Sequence, residues 1–339
     1  MALSFAIGFA PGHPREFSDC CRAAEDLGFE KIGVVDSQSI YRDVYLSCAL
    51  AAQATSHVAL GPRVTNPVTR HITTTASALL TLNELAPGRV FAGVGTGDSS
   101  LANIGMRPVK LSALGEFVSS LRKLLQGEPV EHQGAPLKLN WGKSSLPIYI
   151  AAHGPKALEL AGAVADGVII GTGVGRDIVQ DALDALSRGA AQSGRPLQSL
   201  DVWWHLGANV AASRDEAIAG IRFNLASKVN HLIRFPTREK HIPESCLDAL
   251  EKIHRQYNYL EHLRPGVSRV NAQLVRESGV EDYLADRYAV VGTPEECLSR
   301  VEQLRDWGIS KIWLNTYSED KIAFMEQWSK AVLAKVPSF

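Results

Sequence analysis

The chain has 339 residues, of which 45% are hydrophobic and 21% are charged, and this composition excludes intrinsic disorder, collagen and coiled coil. Its 35 basic and 36 acidic side chains nearly cancel, so no strong positive field is available to attract nucleic acid or an anionic membrane. No stretch approaches the roughly 20 apolar residues of a membrane-spanning helix, and the apolar run near the first residue lacks a basic leader, so we expect a cytoplasmic protein.

Short apolar runs alternate along the chain with longer segments of helical periodicity, a pattern typical of parallel strands joined by crossover helices. Eight strands are predicted, in chain order over residues 3–9, 31–35, 58–64, 89–94, 147–151, 167–170, 202–210 and 311–315. Eight strand and helix units predict the α/β class and a (β/α)8 TIM barrel. The turn after the first strand lacks the glycine-rich fingerprint of an open dinucleotide-binding sheet. We therefore predict one barrel domain over residues 1–339.

Helix signals lie between these strands. The first predicted helices cover residues 14–27, 43–55, 73–85 and 112–125, and glycine or proline follows three of them. We expect a hairpin within residues 127–145, and a late helix that begins at Thr293 and Pro294. Residues 222–287 lie between the seventh and eighth strands and are long and charged. They predict a helical insertion within the barrel that caps its mouth.

Ligands of such a barrel bind the loops that follow the strands, because the carboxyl ends of all strands open at one end. Asp36 ends the second predicted strand and can accept an N–H group from a ligand; a cap on the next turn is the alternative. In the third loop, Thr65 and Asn66 can form hydrogen bonds, and Pro67 keeps Asn66 extended. Arg70 and His71 end the same loop and can carry charge.

Three further loops are rich in small residues. Residues 94–100 combine glycines with hydroxyls and one carboxylate, so a flat aromatic ring could lie against their backbone, and a helix cap made by Asp98 or Ser99 is the alternative. Residues 152–156 and 171–175 each join a strand to a helix, so their N–H groups can approach a phosphate. A tight turn without a ligand is the alternative for both.

The histidines do not predict a metal site. The chain has ten of them, including His13 and His153, but no HxH or HExxH pair. A metal-dependent hydrolase is therefore the weakest functional hypothesis, and we assign no metal ligand.

Several segments together resemble the bacterial luciferase-like superfamily, in the branch similar to methylenetetrahydromethanopterin reductase. They are residues 61–71, 75–85, 88–99, 147–162, 165–171 and 291–297. The resemblance covers nearly the whole chain outside the predicted insertion. It implies a (β/α)8 barrel that uses reduced FMN with dioxygen, or a deazaflavin coenzyme for hydride transfer.

The resemblance also implies which residues contact the cofactor. A cis peptide bond between Arg63 and Val64 would back the flavin ring, and Thr96 and Gly97 would border it. The loops that begin at His153 and Gly171 would cradle the phosphate. Together with the polar residues that end the second and third strands, the predicted cofactor-binding set is Asp36, Arg63, Val64, Thr65, Asn66, Thr96, Gly97, His153, Gly154, Gly171, Thr172 and Gly173.

One position departs from many deazaflavin-dependent relatives. They have a histidine directly after the acidic residue of the second strand, where this chain has Ser37. Asp36, His13 and His71 are therefore the candidates for a catalytic acid or base, and the sequence does not distinguish between them.

These observations predict a luciferase-like oxidoreductase that acts on a small organic substrate, by monooxygenation with reduced FMN or by hydride transfer with deazaflavin. With FMN, a separate flavin reductase would supply the reduced cofactor. The alternative is a non-catalytic flavin-binding protein of the same fold, motivated by the missing histidine. The resemblance further implies a homodimer formed through the second and third helices.

Overall fold

The computed structural model describes residues 2–132, 134–234, 240–262, 269–316 and 318–336. Its strands are β1 (Ser4–Phe9), β2 (Lys31–Val34), β3 (Ala59–Pro62), β4 (Ala92–Val94), β5 (Val130–His132), β6 (Ala135–Leu137), β7 (Ile148–Ala152), β8 (Gly167–Ile170), β9 (Asp201–Val210), β10 (Ala289–Gly292) and β11 (Lys311–Asn315). Its α-helices are α1 (Pro14–Asp26), α2 (Val44–Ala54), α3 (Ile72–Leu85), α4 (Ser99–Ala102), α5 (Leu111–Leu125), α6 (Pro155–Val164), α7 (Arg176–Gln192), α8 (Arg214–Ile233), α9 (Leu247–Gln256), α10 (Arg269–Arg276), α11 (Glu281–Tyr288), α12 (Pro294–Asp306) and α13 (Lys321–Ala331).

Capping side chains set several helix starts. Asp43 accepts hydrogen bonds from two backbone N–H groups in the first turn of α2. Thr293 and Glu296 form a capping box before α12, with Pro294 at the first helical position. The late helix therefore begins where the sequence predicts it.

The chain divides into two compact units. The N-terminal unit comprises residues 6–169 and 184–202, and its parallel strands lie in the order β1, β2, β3, β4, β7, β8. This order follows the chain, so each strand pairs with the next after a crossover, as repeated strand and helix units require. The predicted hairpin is present as the antiparallel pair β5 and β6.

The C-terminal unit comprises residues 1–5, 170–183 and 203–339. In its sheet, β9 pairs in parallel with both β10 and β11, and Ser4 at the start of β1 donates its N–H to the Ser310 carbonyl at 2.9 Å. Helices α8 to α11 enclose an apolar core that includes Ile221, Leu250 and Leu284. They confirm a helical insertion, although α8 begins at Arg214, ahead of the predicted start.

Residues 235–239 and 263–268 of the predicted insertion lie outside the described residues. All eight predicted strands are present, and β4 is shortened to Ala92–Val94. The ninth parallel strand, β10, is not among the predicted strands, because its four residues fall in the short gap between the predicted insertion and the helix that begins at Thr293. Only its pairing with β9 identifies Ala289–Gly292 as a strand. The assignment of all residues to one domain stays a prediction.

Large aromatic side chains fill the core of the C-terminal unit. The rings of Trp203 and Trp313 meet edge to face with centroids 5.4 Å apart, and Phe5 meets Trp328 in the same way at 5.9 Å. All four side chains are buried. The first pair joins β9 to β11, and the second joins β1 to α13.

Two kinds of feature are absent from the part of the chain that the structure describes. No group of three or more His, Cys, Asp or Glu side chains is placed to hold a metal ion. No helix combines the length and the apolar character that crossing a membrane requires.

Candidate functional site

The Asp36 carboxylate lies just after β2 in the N-terminal unit and is buried, with 1% of its side chain exposed. Thr65 Oγ1 and Arg70 Nη1 each donate a hydrogen bond to Asp36 Oδ2 at 2.7 Å. A buried carboxylate needs such donors, because removing an unpaired charge from water is costly. Asp36 is therefore hydrogen-bonded to the loop after β3. The helix that follows, α2, is capped by Asp43 and not by Asp36.

Arg70 joins this loop to the start of α2. Its second nitrogen, Nη2, donates to Asp43 Oδ2 at 2.9 Å, and the guanidinium lies 5.2 Å from the centre of the Tyr45 ring. Burial lowers the pKa of Arg70, but the Asp36 carboxylate outweighs burial and leaves that pKa above its usual value. Arg70 therefore stays charged and forms an ion pair with each of the two acidic side chains.

The pKa values of Asp43 and Tyr45 are shifted by the charges of Arg70 and Asp36. Burial raises the pKa of Asp43, but the N–H of Leu46 and the Arg70 guanidinium outweigh burial and bring the pKa below its usual value. Burial, together with the negative charge of Asp36, raises the pKa of the Tyr45 hydroxyl. The cluster thus contains two acidic side chains that share one arginine, and beside them a neutral phenol.

Asn66 has all its amide atoms engaged by the protein. Its Oδ1 accepts hydrogen bonds from the N–H groups of Val68 and Thr69 at 2.9 and 3.0 Å. Its Nδ2 donates to Ser100 Oγ at 3.2 Å, and the residue is 1% exposed. The amide therefore joins the loop after β3 to the start of α4.

Two more contacts reach the same short helix from the loop after β2. Ser37 Oγ lies 3.0 Å from Ser99 Oγ, and Gln38 Nε2 donates to the Ser100 carbonyl at 2.9 Å. The loops after β2, β3 and β4 are thus joined in one hydrogen-bonded network. Such a network is typical of a preorganised site, because its side chains do not have to be ordered when a ligand binds.

Gly93 in β4 and Gly95 just after it have a structural role. A methyl group at Gly93 would lie 2.3 Å from the Pro62 carbonyl oxygen, and one at Gly95 would lie 3.0 Å from Val64 Cγ2. These glycines allow β3 and β4 to approach each other. Gly97 has a φ of +94°, which a side chain would oppose. Close contact with the end of β3 and with Val64 just after it therefore explains Gly93 and Gly95 without a ligand.

The predicted cis peptide bond between Arg63 and Val64 is confirmed. Arg63 is buried, and its N–H donates to the Val34 carbonyl of β2 at 2.6 Å. Thr96 is partly buried, and its carbonyl accepts the N–H of Val109 at 3.0 Å. The predicted roles of these residues toward a cofactor stay predictions.

The two histidines proposed as acid or base lie at helix starts. His13 is exposed and accepts the N–H of Arg15 at the start of α1. His71 is exposed at the start of α3, where Nδ1 lies 2.7 Å from Thr73 Oγ1. Of the three catalytic candidates, Asp36 alone is buried in the network just described.

The loop after β7 differs from the other glycine loops. His153 is partly buried, and Gly154 directly precedes α6, a helix of 10 residues. Gly154 is extended, with a φ of −168°, and nothing lies within 4 Å of the place where a methyl group would be. Neither the backbone nor a neighbour requires glycine here. A ligand that approaches the helix start is a physical reason for it.

In the C-terminal unit, the turn at Gly171 to Gly173 is bound by Arg287 of α11. Arg287 Nη2 donates to the Thr172 carbonyl at 3.1 Å, and Val174 donates its N–H to the Arg287 carbonyl at 2.7 Å. Gly173 has a φ of +83°, and a methyl group there would lie 2.6 Å from Arg287 Cγ. Contact with Arg287 therefore explains Gly173. The predicted phosphate contact of this turn stays a prediction.

Sequence reasoning missed three residues that organise these loops. Arg70 was singled out only as a charged residue of the third loop, and its partners lie 34 and 27 residues away. Ser100 carries no motif, and Arg287 lies 115 residues from Thr172. No local pattern connects residues at such separations, so only the tertiary structure identifies the pairs.

Comparison with known proteins finds relatives along nearly the whole chain. A family model described as luciferase-like monooxygenase matches residues 4–311. The 5,10-methylenetetrahydromethanopterin reductase of Archaeoglobus fulgidus is 30% identical over 318 residues, which cover 91% of this chain and 92% of that protein. The protein of the same name from Methanolobus tindarius is 28% identical over 322 residues, with 91% and 93% covered.

A solved structure shares the fold. The coenzyme F420 dependent tetrahydromethanopterin reductase from Methanopyrus kandleri has a TM-score of 0.80 to this chain at 24% identity, and the match covers 98% of this chain and 99% of that one. This similarity confirms the predicted (β/α)8 barrel.

Proposed function

The chain belongs to the luciferase-like monooxygenase family and is an oxidoreductase, and from this premise we propose that it transfers hydride between a deazaflavin coenzyme and a small organic substrate. The observation that carries the proposal is the buried network around Asp36, which joins the loops after β2, β3 and β4. A planar redox cofactor needs such ordered donors and acceptors beside its ring. A merely flavin-binding protein, the earlier alternative, does not agree with relatives that are reductases.

The residues of this chain suit both ends of such a cofactor. A flavin or deazaflavin has polar atoms along its ring edge and an anionic tail. The open space beside Gly154, at the start of α6, suits the tail, because the N–H groups of a helix start favour an anion. We propose that the ring is bound by Asp36, Arg63, Val64, Thr65, Asn66, Thr96 and Gly97, and the phosphate by His153 and Gly154 at the start of α6.

Each polar residue of the network has a defined task in this proposal. Asp36 accepts a hydrogen bond from the ring through its carboxylate, and Thr65 and Arg70 fix the orientation of that carboxylate. Burial of Asp36 keeps water away from the same contact. The bound cofactor supplies the hydride chemistry. Asp36 is our first candidate for proton transfer, since His13 and His71 lie exposed at helix starts.

Reduced FMN with dioxygen is the second candidate chemistry. It is favoured by the description of the matching family as a monooxygenase. In that case a separate flavin reductase would have to supply reduced FMN. The network around Asp36 would serve either cofactor, because the two ring systems have the same edge of carbonyl and N–H groups.

Cofactor binding tests the proposal directly. The purified chain is titrated without oxygen with reduced deazaflavin coenzyme and, separately, with reduced FMN, and binding is followed by fluorescence. We expect saturable binding, with the tighter ligand identifying the cofactor. Asp36→Asn should raise Kd by about tenfold or more, because a hydrogen bond to a charged group contributes about 1.5 to 3 kcal/mol.

Asp26→Asn is the matched control, since Asp26 is exposed at the end of α1 and should leave Kd unchanged. Failure of the unmodified chain to bind either cofactor would overturn the proposed function. Equal Kd values for Asp36→Asn and the unmodified chain would remove Asp36 from the site and leave the function standing.

A further inference from the structure

A second group of polar side chains lies in the C-terminal unit, between β9, β11 and α8. It consists of His205, Asn224, Lys228 and Asn315, and we call it the β9–α8 cluster. Lys228 Nζ lies 3.0 Å from His205 Nδ1. Lys228 and Asn224 are 3% and 1% exposed, which is rare for a lysine and costly for an amide.

The Asn224 side chain is the exceptional member of the cluster. Both of its amide atoms, Nδ2 and Oδ1, are buried without a hydrogen-bond partner in the structure. The Asn224 side chain faces Gly207 of β9. A methyl group built on Gly207 would lie only 3.0 Å from Asn224 Oδ1. Buried amides are nearly always satisfied in folded proteins, so this one calls for a bound partner.

The register of the sheet brings the remaining members together. His205 pairs with Trp313, and Gly207 pairs with Asn315, across the parallel strands β9 and β11. Paired residues project from the same face of a sheet, so Asn315 lies on the face that Asn224 contacts. Asn224 and Lys228 are four positions apart on α8, and are therefore neighbours on one side of that helix.

The cluster is open at one member. His205 is partly exposed, whereas Trp204 and Leu206 on either side of it in β9 are buried. His205 is therefore the member of the cluster that solvent reaches, and the Lys228 ammonium lies 3.0 Å from its Nδ1.

We propose that the β9–α8 cluster is a binding site for a small oxyanion, the carboxylate or phosphate group of a metabolite. The ammonium of Lys228, an N–H of His205 and the Asn224 amide supply donors of the kind that bind oxyanions in proteins. The anion accepts from the Asn224 Nδ2 that no protein atom engages. None of these four residues belongs to the cofactor-binding set proposed above, so the inference does not depend on the cofactor.

Sodium acetate and inorganic phosphate are suitable probes, titrated separately at an ionic strength kept constant with sodium chloride. Trp313 and Trp203 provide a local signal, since Trp313 is the register partner of His205 and meets the Trp203 ring. We expect a saturable change of tryptophan fluorescence for at least one probe. The probe with the lower Kd distinguishes a carboxylate ligand from a phosphate ligand.

Three variants assign the response to the cluster. Lys228→Met removes the charge at nearly equal length and should raise Kd by about tenfold or more. Asn224→Asp keeps the size of the side chain and places a negative charge beside the anion, so it should abolish binding and still fold. Lys252→Met removes the same charge from the exposed surface of α9 and should leave Kd within about twofold.

The outcomes separate the possible occupants. No saturable response to either probe would overturn the proposal and leave internal water as the partner of Asn224. An equal loss in Lys252→Met and Lys228→Met would also overturn it, because the effect would then come from general charge. If Lys228→Met does not fold, the Asn224→Asp variant is sufficient for the test. A Kd for the probe equal to that of the unmodified chain would then overturn the proposal.

Discussion

Single residues in this protein show that a buried charge persists where several donors surround it. Glu25, near the end of α1, is an example outside the candidate site. Its carboxylate accepts the N–H groups of Ser56, His57 and Val58, each at 2.8 Å, and its side chain is 9% exposed. Burial raises the pKa of Glu25, but these three donors outweigh burial and lower that pKa overall.

The sign of this shift predicts how stability depends on pH. A carboxyl group whose pKa is lower in the folded chain stabilises the fold above its unfolded pKa of about 4.3, and this stabilisation is lost as pH falls through the folded pKa. Glu25→Gln should lower the free energy of unfolding by about 2 kcal/mol at pH 7. Urea unfolding at pH 7 and at pH 3 measures the difference, which should shrink at the lower pH.

Glu30→Gln is the control, because Glu30 is exposed in the segment just before β2. It should change the free energy of unfolding by less than about 0.5 kcal/mol at either pH. A Glu25→Gln effect that is the same at pH 7 and pH 3 would contradict the assignment of the stabilisation to the charged form.

At the scale of elements, the contact between α6 and α7 in the N-terminal unit depends on two small residues. A methyl group at Gly189 would lie 1.9 Å from the Glu159 carbonyl oxygen, and one at Gly162 would lie 2.3 Å from the Leu186 carbonyl oxygen. These atoms belong to helix backbones, which cannot move as a flexible side chain can. The two helices therefore pack at a distance that only glycine permits.

Gly189→Ala should separate the two helices and lower the free energy of unfolding by about 1 to 3 kcal/mol, the usual cost of overpacking. Gly115→Ala in α5 is the matched helical control, since its methyl group would meet only the end of the Leu160 side chain, at 3.1 Å. It should be neutral or stabilising by up to about 1 kcal/mol through helix propensity. Thermal unfolding of both variants checks this, and equal melting temperatures would contradict the packing argument.

At the scale of the whole molecule, the homodimer that the family resemblance implies would place the second and third helices at the contact. Leu46 on α2 is 72% exposed and Leu85 at the end of α3 is 46% exposed. Exposed leucines of this kind lose solvent contact in an interface, and each contributes about 1.5 to 3 kcal/mol when fully buried.

Leu46→Asp should therefore raise the dimer dissociation constant by at least about tenfold. Sedimentation velocity over a range of concentrations measures it. Leu260→Asp is the control, because Leu260 is 75% exposed in the C-terminal unit and away from both helices in the sequence. A chain that stays monomeric at every concentration would contradict the dimer, and an equal effect of both substitutions would contradict the choice of interface.

Some residues of the candidate site could be predicted from the sequence, and others could not. Asp36, Thr65 and Asn66 were found from their types and their places at strand ends, and the structure joins all three to one network. Gly173 was predicted from its residue type too. The structure shows that Arg287 packs against Gly173 and leaves no room for a side chain, and the sequence of the loop does not reveal this contact. The cis bond at Arg63 and Val64 came from resemblance and not from the residues themselves.

The sequence by itself determined eight of the nine parallel strands of the described chain, most of the helices and the barrel class, since periodicity, caps and turn residues act over a few neighbouring positions. Tertiary structure alone decided which side chains meet. Asp36 contacts Arg70 across 34 residues and Arg287 contacts Thr172 across 115, and no local pattern records such pairs. Burial makes these pairs obligatory, because a charge or an amide removed from water must find a partner wherever the fold brings one near.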